Sequence, residues 1–128
     1  MEIGIGLYVE GSREAAETYM QAFGLELGYH VLNADGTFFH SELLKDGKAF
    51  LSVVESEKAA KGPVELGVTF SSRDELEGAY RILSEGGTVS MPLGELPWSP
   101  LAAVVTDRFG VTWFLTLPQH RPPEGFVP

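Results

Sequence analysis

Val64-Glu65-Leu66-Gly67-Val68-Thr69-Phe70, followed by Ser72-Arg73-Asp74-Glu75, repeats an arrangement met sixty residues earlier, where Ile3-Gly4-Ile5-Gly6-Leu7-Tyr8-Val9 leads to Ser12-Arg13-Glu14. In both stretches every second residue is apolar, the period of a strand with one buried face. In both, a serine then stands where a helix should start. Ser12 is placed as the first N-cap, with Glu14 and Glu17 near the positive end of the helix dipole. Ser72 with Glu75 three residues on reads as a capping box. Ala15, Ala16, Tyr19, Met20 and Phe23 recur at helical spacing up to a Gly24 stop. Leu76, Ala79, Tyr80 and Leu83 do the same up to Gly86-Gly87.

Three strands are expected after each helix: about 25–32, 38–44 and 49–55 in the first half, and 88–92, 101–106 and 111–117 in the second. Asp46-Gly47 is a two-residue hairpin signal. The order β-α-β-β-β thus occurs twice: repeat one about 1–55, a polar linker 56–62, repeat two about 63–118, and a proline-rich irregular tail 119–128. Such a duplication predicts an α+β domain of two curved mixed sheets, helices on the outer face and a trough on the inner face. Ile3, Ile5, Leu7, Val64, Leu66 and Val68 should lie beneath the helices.

With 128 residues, 44% of them hydrophobic, the chain has enough apolar side chains for a core. Its net charge of −9, with no cluster of Lys or Arg, argues against nucleic acid or an anionic membrane as partner. No cysteine is present, which removes disulfides and thiolate metal sites. The N-terminal residues lack the pattern of a secretory signal and no apolar run has the length of a membrane span, so cytoplasm is the expected location.

Four stretches carry a family likeness. They are Glu14-Ala15-Ala16-Glu17-Thr18-Tyr19-Met20-Gln21-Ala22-Phe23-Gly24, His40-Ser41-Glu42-Leu43, Gly86-Gly87-Thr88-Val89-Ser90-Met91-Pro92-Leu93 with Trp98 after it, and Thr106-Asp107-Arg108-Phe109-Gly110-Val111-Thr112-Trp113. In this order they resemble the vicinal oxygen chelate (glyoxalase/bleomycin-resistance) superfamily, and within it the PhnB-like branch. The resemblance implies a glyoxalase/bleomycin-resistance-like fold, a ligand site in the trough, and often a homodimer. In members that do chemistry it implies a divalent metal held by four His, Glu or Gln side chains. Carried over strand by strand, those positions fall on Gly4, Ser52, Glu65 and Phe114, which supply a single carboxylate. No metal and no other cofactor is therefore expected. Some relatives bear a methyltransferase name, but nothing in the sequence resembles a methyl-donor site.

Six residues are candidates for a ligand site: Tyr8, His40, Phe50, Glu65, Trp98 and Phe114. By strand parity or loop position the four aromatic residues belong to the trough, as pocket walls or as core filler. Trp113 has the opposite parity and should pack beneath a helix. Glu65 alternates with apolar neighbours and should point into the trough, to recognise a cationic or hydroxylated group or simply to meet solvent. His40 is the histidine inside a strand, with a structural or an acid/base role. A two-residue Asp46-Gly47 turn pairs it with Val53 on the helix side, and one bulged residue would reverse this. Asp35, Asp46 and Asp107 adjoin glycine-containing turns and read as turn residues.

The function expected is metal-independent binding of a small organic molecule. The alternatives are a metal-independent enzyme with His40 or Glu65 as acid/base, and a metal-dependent lyase or dioxygenase. Phe126 and Val127 are expected to pack against the partner of a homodimer.

Overall fold

The computed structural model describes residues 1–57 and 64–127, and residues 58–62 of the expected linker lie outside them. The chain divides into two units, Met1–Gly62 and Pro63–Pro128. The first contains β1 (Gly6–Val9), α1 (Ser12–Phe23), β2 (Glu26–Leu32), β3 (Phe38–Lys45) and β4 (Lys48–Glu55). The second contains β5 (Leu66–Thr69), α2 (Arg73–Ser84), β6 (Thr88–Leu96), β7 (Ser99–Thr106) and β8 (Thr112–Thr116). The strand orders, β1-β4-β3-β2 and β5-β8-β7-β6, are the same, which is the duplication seen in the sequence. Each sheet is mixed, with its first strand parallel to its fourth and the other pairs antiparallel.

In the first sheet Leu7 pairs with Val53 and Leu43 with Leu51, and all four are buried. They form the floor on which Ala15, Ala16, Tyr19 and Phe23 of α1 pack. In the second sheet Trp113, Leu115, Ala103 and Val105 are the floor for Leu76, Ala79 and Leu83 of α2. Leu66 and Val68 pair with Trp113 and Leu115 but stay half-exposed, because β5 is an edge strand covered from one side.

Three more of the expected core residues are exposed. Ile3 (91% exposed), Ile5 and Val64 (68% exposed) precede the first paired residues, Gly6 and Leu66. Alternation continues there in the sequence, but these side chains stay exposed, even at Ile5, whose carbonyl accepts from Ser52 N of β4. β6 departs in the other direction, running to Leu96 through Pro92 where the sequence suggested an end. A strand tolerates proline only where its missing N–H has no partner to serve, and β6 is an edge.

The helix starts differ in a way the matching serines hide. α2 begins as the sequence predicts, with Ser72 Oγ accepting from Glu75 N and donating to Glu75 Oε1. α1 begins one residue earlier than expected. Gly11, at φ 77°, is the cap, and Ser12 is already helical and buried. The cap's missing acceptor comes from across the sheet. Glu55 at the end of β4 receives Gly11 N at 3.1 Å, Ser12 N at 2.9 Å and Ser12 Oγ at 2.9 Å. The hydroxyl of Ser12 in turn accepts from Phe38 N. At the other end Gly24 adopts φ 64° and donates to Met20 O, as expected, and Lys45 Nζ donates to Phe23 O. The stop of α2 depends on close approach: a Cβ at Gly87 would fall on the Thr106 carbonyl oxygen.

Partial burial pushes the Glu55 carboxyl up, but the bonds from Ser12 and Gly11 outweigh it and hold the group below the usual carboxylate range. A depressed folded value stabilises the native state above the unfolded value. That contribution is lost as pH falls through the folded value. Glu55→Ala should cost about 1–2 kcal/mol at neutral pH and less at pH 3, measured by urea unfolding at both. Gly87→Ala should cost about 1–3 kcal/mol at any pH.

Candidate functional site

One extra residue decides which side chains the first sheet turns away from its helix. At the hairpin, Lys45 pairs with Lys48 and Leu44 with Ala49, across a turn whose two residues, Asp46 and Gly47, both have positive φ (50° and 79°). Farther on, Leu43 pairs with Leu51 and Glu42 with Ser52. The register shift between these pairs leaves Phe50 unmatched, a β-bulge. With the bulge, Leu51 and Val53 join Leu43 on the helix side. Ser52 joins Glu42 and Gly6 on the open side.

His40 is two residues from Glu42 and shares its face. Its Nε2 lies 3.8 Å from Glu42 Oε1, and both side chains are 39% exposed. The Tyr29 ring from β2 stands beside it, centroids 6.3 Å apart. Tyr8 projects from the same face, paired with Val54 and 63% exposed. Between His40 and Glu42, Ser41 points the other way, its buried hydroxyl donating to Val53 O at 2.7 Å and accepting from Val53 N at 3.2 Å.

The open face of the first sheet thus gathers Tyr8, Tyr29, His40, Glu42 and Ser52. Of the six candidates named from sequence, it holds Tyr8 and His40. Phe50 is placed differently: as the bulged residue its ring rests 5.9 Å from that of Phe23 in α1, on the helix side. Glu65 precedes β5 and is exposed. Tyr29 and Glu42 were not singled out as site residues. The signal for Glu42 was its place in His40-Ser41-Glu42-Leu43, two residues from the histidine.

The second sheet's open face has an apolar middle row, with threonines on either side of it. Gly67, Phe114, Val104 and Met91 form one row across its four strands, so Phe114 lies on the face expected of it. Trp98, just before β7, is half-buried. Its ring meets Phe126 edge-on at 6.2 Å, and its carbonyl accepts from His120 N. Phe126 therefore packs on its own chain's Trp98, where contact with a partner was expected. Val127 is exposed.

Trp113 is buried beneath α2, as its parity implies, and its Nε1 donates to Asp107 Oδ2 at 2.9 Å. Asp107 Oδ1 accepts from Phe109 N and Val111 N. This carboxylate is spent on a turn and an indole. Asp107→Ala should cost about 1–3 kcal/mol and weaken the near-UV circular dichroism of the tryptophans.

The four positions onto which the family resemblance carries a metal site are Gly4, Ser52, Glu65 and Phe114, and they supply a glycine, a serine hydroxyl, one carboxylate and a phenyl ring. Divalent sites of catalytic type take at least three protein ligands, so this donor set does not fit one. Among the described residues no group of three or more His, Asp or Glu is placed to hold a metal ion. No helix among them is long and apolar enough to cross a membrane.

Residues 4–115 match the family model described as Glyoxalase/Bleomycin resistance protein/Dioxygenase superfamily. Among solved structures, the PhnB protein from Bacillus cereus, which also bears a 3-demethylubiquinone-9 3-methyltransferase name, is 26% identical. The match covers 91% of this chain and 99% of that one, with a TM-score of 0.79. A protein from Pseudomonas aeruginosa is 27% identical over 92% of this chain and 98% of its own, TM-score 0.78. The fosfomycin resistance protein FosX from Listeria monocytogenes, whose structure contains Mn(II) and sulfate, shares the fold at 13% identity, TM-score 0.68, over 92% of this chain and 90% of its own. No curated protein matched the sequence.

Proposed function

The chain belongs to the glyoxalase/bleomycin resistance protein/dioxygenase superfamily, and from that premise we propose that it binds a small organic molecule on the open face of its first sheet, without a resident metal ion. The observation that carries this reading is the exposure of aromatic rings on a folded sheet face. Tyr8 and Tyr29 are 63% and 67% exposed there, beside a half-exposed His40–Glu42 pair. Apolar walls with a few polar points are the usual make-up of a ligand site. The donor set at Gly4, Ser52, Glu65 and Phe114 supports the metal-free part.

A second reading, metal-independent catalysis, is favoured by one contact. Glu42 Oε1 stands 3.8 Å from His40 Nε2, beyond direct hydrogen-bond reach, so a small side-chain shift or one water would let it orient an imidazole that moves a proton. Among the described residues Glu65 has no comparable neighbour. Under this reading His40→Gln abolishes turnover and spares binding; under the first there is no turnover to lose.

Native mass spectrometry of the protein from its own host should show a retained organic adduct and no stoichiometric metal. Zn²⁺, Mn²⁺ or a chelator should leave the thermal unfolding midpoint unchanged. Bound metal with a raised midpoint would overturn the metal-free reading.

A homodimer is part of the proposal. Its support is the edge strand β2, where Leu27, Val31 and Leu32 are exposed beside unpaired backbone. Light scattering at micromolar concentration should give twice the 13.9 kDa chain mass, and Val31→Lys should shift the population toward the single-chain species.

A further inference from the structure

We propose that the ligand of the first sheet is a small organic cation, a substituted ammonium carried on an apolar or aromatic body. This rests on the reading that the open face binds a small molecule, and adds the sign of that molecule's charge.

The observation behind it is that the basic side chains placed in the first unit all lie on one face of its sheet. Residues 1–57 contain three basic side chains of the Lys/Arg type, Arg13, Lys45 and Lys48, and all belong to the helix side. Lys45 Nζ donates to Phe23 O at the end of α1. Lys48 is its direct cross-strand partner and shares its face. Arg13 is on α1, over the Phe38 ring at 5.2 Å, and donates to Gly36 O. Carboxylates occur on both sides, with Glu14 and Glu17 on α1 and Glu55 at its start, but two of them face the open side with no Lys or Arg placed beside them. Glu42 projects there beside His40, and Glu26 pairs with Leu44, two residues farther along the same side of β3.

Such a face discriminates by charge. Among the described side chains of this face an anion would meet two carboxylates and no Lys or Arg, on a chain of net charge −9. A neutral molecule would gain only apolar contact. A cation gains attraction to Glu42 and to the negative faces of the Tyr8 and Tyr29 rings. Because the groups are half-exposed, each contact adds only about two- to fivefold in affinity. Selectivity comes from their agreement in sign.

The test is an NMR titration of the full chain with three probes sharing a benzyl body: benzyltrimethylammonium, benzyl alcohol and phenylacetate. Resonances of Tyr8, Tyr29, His40 and Ser52 are followed. The ammonium should move them and bind about fivefold or more tighter than the alcohol, with phenylacetate weakest. Added salt should weaken the ammonium alone. Glu42→Gln, an isosteric change on an exposed face, should lower affinity for the ammonium about three- to fivefold and leave that for the alcohol unchanged. Equal or tighter binding of the alcohol or phenylacetate, or an unaltered ammonium affinity in Glu42→Gln, would overturn the cation assignment while leaving the ligand face in place. No shift at these residues with any probe would overturn both.

Discussion

A strand has two faces, and inserting one residue exchanges them. The first sheet uses this once, at Phe50. Without the bulge, a two-residue turn at Asp46-Gly47 would set Ser52 and Val54 beneath α1 and turn Leu51 and Val53 outward. Burying two branched aliphatic side chains in place of a serine and a valine is a clear gain for the core. Phe50 itself remains on the helix side, where it extends the floor toward Phe23. The same irregularity aligns Gly6, Ser52 and Glu42 across three strands of the open face. Packing beneath the helix and the set of side chains on the opposite face are thus two results of one insertion.

The two repeats share strand order but secure their helices by different means. In the second, Ser72 and Glu75 cap α2 within four residues of chain. In the first, the acceptor is Glu55, more than forty residues from Gly11 and Ser12. A long-range cap ties the start of α1 to the end of β4, and Ser12 continues the connection to Phe38 N at the start of β3. The first helix is therefore positioned on its sheet by hydrogen bonds as well as by apolar contact. The second has Asp107 in a related role at a different place, joining the turn before β8 to the buried indole of Trp113.

The fold was legible in the sequence because both signals it needs, alternation in strands and caps on helices, occur twice in the same order. What failed to show was whatever depended on distant chain. Ser12 looks like Ser72 locally, and only the fold brings Glu55 close enough to displace it from the cap. Ile3 and Val64 alternate as well as Leu7 does, but pairing starts after them. The face of His40 was open because bulges have no residue signature. A count could have settled it: Leu43 lies two residues before Lys45, and Leu51 three after Lys48. Unequal offsets cannot bring two core leucines together without one residue to spare. Glu42 and Tyr29 were missed for the same reason, since their value depends on sharing that face with His40.

Both tryptophans belong to the second unit, and their surroundings differ. Trp113 is buried and hydrogen-bonded to a carboxylate, whereas Trp98 is half-buried against Phe126 of the tail. The first unit has tyrosines and no indole. Intrinsic emission excited at the red edge is therefore blind to residues 1–57 and reads only the second repeat. Within that repeat, a polar quencher reaches the part-exposed Trp98 in the folded state but reaches Trp113 only after the core opens. The sequence thus comes with its own optical labels, one on a surface hairpin and one in a core, and the melting of the second half can be watched by itself without adding a dye.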